Sequence, residues 1–294
     1  DGPRPGRHEA TQCTLVRSLI AKRTSGEEFE RHMLSCVRTP RKPWAGVEEI
    51  GTTEIDAVTT LIGKAFAGTR ESEPEWSAHW LLGPQLADMD DPRRAEAVEF
   101  FLSFAVATHG HPHRGTVIGV RGDGGSLRSL IVVRRMPKAA PLIDSVWSGP
   151  TAIISVVGGR LDQRNMPSIY TDAALKTTLA APIDKRGSLG VLPGLEKMHK
   201  AHADCPHYYV AVAATLPEAQ GCGHLSTLMR AVTRRADEEG LPCYLECHGT
   251  RNRGIYTRYG FSEVGKYTYE VEGDEPGSAP YTEAFAMWRP PNPM

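Results

Sequence analysis

No stretch of the chain approaches the roughly 20 consecutive apolar residues that a membrane-spanning helix requires, so no span is expected. Net charge is nearly absent as well. Thirty-four basic residues against 35 acidic ones leave −1 over 294 residues, which argues against the basic footprint of a nucleic-acid binder. The six cysteines include no Cys-x-x-Cys pair, and reduced thiols are expected. No Gly-Lys-Ser or Gly-Lys-Thr occurs, which removes the Walker phosphate loop. There is no internal repeat, and nothing at the start reads as a signal peptide.

The composition that remains is that of an ordinary soluble enzyme. With 40% hydrophobic and 23% charged residues, the chain can bury a substantial core in one or two domains. A cytoplasmic location is the expectation. An organellar mature form stands beside it, because the chain starts at Asp1.

Residues 1–43 differ from the rest. They open Pro- and Gly-rich, offer one amphipathic stretch in "TLVRSLIAKR", and end in the basic, proline-broken "RTPRKPW". Nine Lys/Arg against five Asp/Glu give this segment +4. A floppy extension, a processing remnant or a docking arm for a protein partner all fit.

From Trp44 onward one domain, 44–294, is expected, with an irregular insertion around 138–200. "GVEEI" reads as a first strand and Ile55 to Ala67 as a helix. "EPEWSAHWLLGP" and "RRAEAVEFFLSFAVA" read as further helices. Two β-rich runs around Gly122-Asp123-Gly124-Gly125 read as a hairpin, and a helix is expected near Leu195 to Ala203.

The stretch Leu216 to Gly240 carries the strongest local signal. Gly221 and Gly223 sit beside Gln220, and an apolar stripe at helical spacing follows: Leu225, Leu228, Met229, Val232 and Ala236. The first amides of a helix lack intrahelical partners, and the dipole places positive charge there. Glycines leave those amides bare to an anion such as a phosphate. The alternative is a glycine-rich helix entry with no ligand. A dinucleotide fingerprint fails, because position 226 is Ser where the third glycine belongs. Asp237, Glu238 and Glu239 fall at the opposite helix end, where a solvated face is expected, as it is for Arg230, Arg234 and Arg235.

The flanks complete a pattern. "HYYVAVAA" from His207 reads as a buried strand and "CYLEC" from Cys243 to Cys247 as another. A short helix then falls in Asn252 to Phe261, with strands at Tyr267 to Glu272 and Phe285 to Arg289. This order resembles the GCN5-related N-acetyltransferase (GNAT) superfamily. The family's acyl-CoA loop, Gln/Arg-x-x-Gly-x-Gly/Ala, is matched by Gln220 and Gly223, with Leu225 departing from the small last residue. Pro217 stands where the family has a proline. The downstream signature is matched by Leu245, Glu246, Asn252, Tyr256, Gly260 and Phe261, and "His-Tyr-Tyr" at 207–209 looks like one branch.

The resemblance implies an α+β fold with a central, mostly antiparallel twisted sheet of six or seven strands flanked by helices. Acyl-CoA is expected where the fourth and fifth strands splay. It also implies transfer of an acyl group, expected from acetyl-CoA, onto a primary amine of a small molecule, directly in a ternary complex. Thr215, Gln220, Gly221, Cys222, Gly223, His224, Leu225, Ser226 and Asn252 are the expected CoA-binding residues. Tyr256 is expected to protonate the leaving thiolate. An amine with a pKa of about 10.4 arrives protonated, so a base is needed, and His207 and Glu246 are both candidates. A non-catalytic CoA-binding scaffold of the same fold, or such a subunit of a larger assembly, is the alternative.

Three constellations have rival readings. His109, His111 and His113 could ligate a metal, but a solvated loop is expected. Cys243, Cys247 and His248 resemble a partial zinc site, yet strand alternation puts the two thiols on one buried face. Cys222 is either a nucleophile at a helix end or a small residue in a tight turn. No metal is expected.

Overall fold

The computed structural model describes residues 43–67, 88, 90–109, 115–136, 192–268 and 283–293. Residues 1–42 of the extension, "EPEWSAHWLLGP", His111, His113 and positions 138–191 of the insertion lie outside the described residues. The described elements all belong to the unit Trp44–Met294.

Among the described residues seven strands form one sheet: β1 (Glu48–Glu49), β2 (Thr116–Arg121), β3 (Leu127–Met136), β4 (His207–Thr215), β5 (Cys243–His248), β6 (Ser262–Thr268) and β7 (Glu283–Arg289). Their order is β1-β2-β3-β4-β5-β7-β6. Every neighbouring pair is antiparallel except β4 and β5, which run parallel. The helices are α1 (Ile55–Ala67), α2 (Arg93–His109), α3 (Leu192–His202), α4 (His224–Glu238) and α5 (Gly249–Thr257). The fold class is therefore the α+β arrangement implied by the resemblance.

The β3 sequence shows why the sheet is covered on both sides. Leu130 to Val133 are four consecutive apolar residues, all buried. Ile131 and Val133 join one cluster with Leu228, Met229 and Val232 of α4. Leu130 and Val132 join a second with Val58, Leu61 and Ile62 of α1 and Val106 of α2. A strand with one wet face would alternate; a sandwiched one reads as a continuous apolar run. Each fully buried aliphatic side chain here contributes about 1.5–3 kcal/mol.

Helix packing explains one glycine. A Cβ on Gly63 of α1 would meet the Ala95 carbonyl oxygen at 2.6 Å and Glu99 Cβ at 2.9 Å. The absence of a side chain lets α2 come close enough for the Thr59 hydroxyl to donate to Glu99 Oε1 at 3.0 Å.

Strand β4 changes phase. Its ladder with β3 runs Val132↔Val212 and then Val133↔Val210, so Ala211 has no opposite residue. This is a β-bulge. Before it, Tyr208 and Val210 face the α4 cluster. After it, Val212 and Ala214 face the α1–α2 cluster.

Three expectations are corrected. The strand expected at Tyr267 to Glu272 already begins at Ser262, because Gly260 (φ +86°) turns the chain straight into the β7 ladder; residues 269–272 lie outside the described residues. The short helix starts at Gly249, not at Asn252. The acids at the end of α4 are not simply solvated. Asp237 accepts from Arg289 Nη1 and Nη2 at 2.8 and 2.7 Å and from the Asn292 N–H at 2.7 Å. Glu239 accepts from the Tyr208 hydroxyl at 2.8 Å and from Arg135 at 3.1 Å. Arg235 is buried with its guanidinium 4.4 Å over the Trp44 ring, whereas Arg230 and Arg234 are exposed. The cationic partners offset the unfavourable placement of acids at a helix C-terminus.

Candidate active site

The parallel pair is short. β4 and β5 share only Tyr208↔Cys243 and Tyr209↔Tyr244. Beyond that point both strands continue, to Thr215 and His248, without pairing to each other. Backbone N–H and C=O groups are obligatory hydrogen-bonding groups. A strand side that loses its ladder therefore faces a gap in which an amide-bearing ligand can pair.

One end of β4 leads into the glycine turn. Thr215 closes the strand with its hydroxyl 2.7 Å from Ser129 Oγ, and Gln220, Gly221, Cys222 and Gly223 are all exposed. Gly221 and Gly223 have φ of +79° and +81°, a region that favours glycine. Gly223 precedes α4 with no side-chain cap, and the first turn of α4 holds no acid. A Cβ on either glycine would meet nothing within 4 Å, so the surface there is open. The amides of His224, Leu225 and Ser226 thus face outward without intrahelical acceptors. Leu225, which departs from the small last residue of the family's loop, packs against the α4 cluster. The Cys222 thiol is exposed, 3.8 Å from the Gln220 carbonyl oxygen.

Glu246 lies on β5 two residues past the last β4–β5 pair, and it is half-buried. Burial pushes its carboxyl up to about 7, while the Tyr209 hydroxyl, donating to Oε2 at 2.9 Å, acts in the opposite sense. The two base candidates occupy different places. His207 starts β4, at the closed end of the pair, and is fully buried. Its Nδ1 lies 2.8 Å from the Cys205 carbonyl oxygen and its Nε2 2.9 Å from His199 Nε2. Burial lowers its pKa. Both ring nitrogens are thus engaged by the protein.

Tyr256 and Asn252 lie one turn apart on α5, each half-buried. The Tyr256 ring meets Phe261 edge-on, centroids 6.2 Å apart. Tyr259 packs against the α4 cluster, and its carbonyl accepts from Arg289 Nε at 3.1 Å. Cys243 and Cys247 are buried in that cluster, where burial raises the Cys243 thiol to about 12. Alternation along β5 puts His248 on the other side. Among the described residues no three His, Cys, Asp or Glu side chains gather as metal ligands.

The sequence reading missed two neighbours of Glu246, Tyr209 and Tyr244, and the His199 ring that lies against both tyrosines. Period-two alternation places Tyr244 on the Glu246 side of β5, and that signal was available. His199 comes from a helix 47 positions away, and no local pattern points to it.

No family model matches the sequence, and no curated protein matches it. Solved structures do match. One is described as histone acetyltransferase HPA2 and related acetyltransferase from Corynebacterium glutamicum. It is 20% identical, with 84% of this chain and 96% of that chain covered at a TM-score of 0.44. A structure named SsHAT is 19% identical, covering 84% and 98% at a TM-score of 0.45. Arylalkylamine N-acetyltransferase 2 from Aedes aegypti is 12% identical, covering 84% and 98% at a TM-score of 0.42. Among the described residues, the strand order, the one parallel pair and the glycine turn that follows β4 make the arrangement that the resemblance to the GCN5-related N-acetyltransferase superfamily implied.

Proposed function

We propose that the chain is an acyl-CoA-dependent N-acetyltransferase that moves an acyl group, with acetyl-CoA as the expected donor, onto a primary amine of a small molecule by direct transfer. One observation carries the reading. A carboxyl group held near neutrality sits where β4 and β5 part, and the strand beside it leads into an open, acid-free helix start.

The residues present fit the donor. The pyrophosphate would be held by the exposed turn Gln220, Gly221, Cys222, Gly223 and the amides of His224, Leu225 and Ser226. Thr215 and Asn252 would flank the arm in the strand gap. When bound, acetyl-CoA supplies an acyl group activated as a thioester. Glu246, ionised, takes the proton of the attacking amine, directly or through one water. We assign the base to Glu246 over His207, whose ring nitrogens are both engaged and buried. A backbone N–H near the end of β4 would hold the developing negative charge. Tyr256 gives its phenol proton to the departing sulfur. A thiol pKa near 8.5 and a phenol near 10 make that transfer inexpensive.

The test is thermal melting with and without acetyl-CoA, followed by thiol release over a panel of small primary amines. Stabilisation together with amine-dependent release supports the proposal. Stabilisation without release on any amine would make the chain a CoA-binding scaffold, and no stabilisation would remove the turn as a phosphate site.

A further inference from the structure

The face of the sheet that carries Glu246 also carries a compact group of rings. The His199 ring of α3 lies parallel to Tyr244, centroids 4.5 Å apart and planes within 5°. It also lies 4.7 Å from the Tyr209 ring. These two tyrosines come from β4 and β5 at their last paired position, where the strands begin to part. Tyr209 donates to Glu246 Oε2. The Tyr244 hydroxyl is buried on the same face, and it acts on the Glu246 carboxyl in the same sense as Tyr209, favouring the ionised form.

His199 is itself fixed by a defined tautomer. The Cys205 carbonyl can only accept, so Nδ1 of His207 carries a hydrogen and donates to it at 2.8 Å. With burial holding His207 in its neutral form, its Nε2 is an acceptor. The 2.9 Å contact between the two Nε2 atoms therefore requires His199 to donate. One imidazole anchors the other, and the anchored one spans both tyrosines.

We propose that His199 is a positioning residue: pinned by His207, its ring is the plate against which Tyr209 and Tyr244 are set, which fixes the Tyr209 hydroxyl on Glu246 and keeps water from that side of the carboxyl. The inference rests on Glu246 being the base only for its effect on turnover; the geometry stands without it. Among the described residues, the titratable groups about Glu246 are Tyr209 from β4, Tyr244 and His248 from β5, and, behind the tyrosines, His199 from α3. The paired strand β7 brings Ala284 and Ala286, which are apolar. Loss of the plate therefore admits water to that side of the carboxyl.

The experiment measures the Glu246 carboxyl directly, by ¹³C NMR titration of protein labelled at glutamate Cδ, with Glu246→Gln assigning the resonance. Two substitutions separate ring from hydrogen bond. His199→Phe keeps an aromatic plate and loses the donor; His199→Gln keeps a donor and loses the plate. The parent carboxyl is expected at about 7. Gln should lower it by about one unit or more toward the ordinary carboxylate range, since solvation favours the charged form, and Phe should leave it near the parent value. A parent-like titration in His199→Gln overturns the proposal, as does a shift in His199→Phe equal to that in His199→Gln. Activity is read separately. If Glu246→Gln retains full turnover, the base assignment fails while the titration still decides the role of His199.

Discussion

A carboxyl group that titrates near neutrality does two things at once. Glu246 must be ionised to accept a proton, so kcat/KM should climb with pH and level off above about 7. Glu246→Gln should cost roughly 10²-fold at neutral pH and less in alkali, where the amine loses its own proton. The same shift bears on stability. The folded carboxyl binds its proton up to about 7, whereas the unfolded one releases it near 4.3, so stability falls as pH rises through that window. Melting curves should show Glu246→Gln gaining on the parent at pH 8 and losing the advantage below about pH 4. His207, depressed by burial, has the opposite sign and cancels in the difference between variant and parent. Tyr256→Phe keeps the ring that packs on Phe261. Steady-state kinetics should show kcat down roughly 10²-fold with CoA affinity nearly unchanged. Glu246 and Tyr256 were visible in the sequence because each sits inside a short motif. The partners of Glu246 were less visible, because they meet it across strands and from a distant helix.

At the level of elements, α4 is held at both ends by different physics. Its start is bare, with Gly223 at φ +81° and nothing within 4 Å of a hypothetical Cβ. Gly223→Asp therefore causes no clash, and Asp tolerates the left-handed region better than most residues. It does place a negative charge where an anion is expected. Isothermal titration should show CoA affinity weakened tenfold or more, about 1.4 kcal/mol, in a protein that still folds. The other end is clamped to β7 through Asp237 and Arg289, whose side chains are 14% and 6% exposed. Asp237→Ala strands that guanidinium, and urea denaturation should show a loss of about 3 kcal/mol, the low end for breaking a buried pair. The low end applies because Arg289 keeps the carbonyls of Tyr259 and Pro290. The element boundaries legible in advance were those with strong period: α1 matched residue for residue, and the stripe of α4 from Leu228 onward is buried. The start of β6 was not legible, because its exposed, charged residues Glu263 and Lys266 carry no apolar alternation.

On the scale of the whole molecule, a ligand that binds only the folded state stabilises all of it. Acetyl-CoA at a hundred times its Kd should add about 2.7 kcal/mol. The strand order was not readable from composition or period. That β7 intervenes between β5 and β6 follows from pairings between distant segments, and only the family resemblance anticipated the sheet. The unpaired Ala211 bears on how the molecule tolerates change. Because the strand has two reading frames that join there, β4 serves one helical layer with its first half and the other layer with its second. Substitution at 211 leaves both frames intact. Deleting that one residue is a frameshift in three dimensions: one half of the strand must exchange the sets of side chains it presents to the two layers. A chain lacking Ala211 should fail to yield soluble protein, while Ala211→Gly should fold, which makes this position tolerant of spelling and intolerant of length.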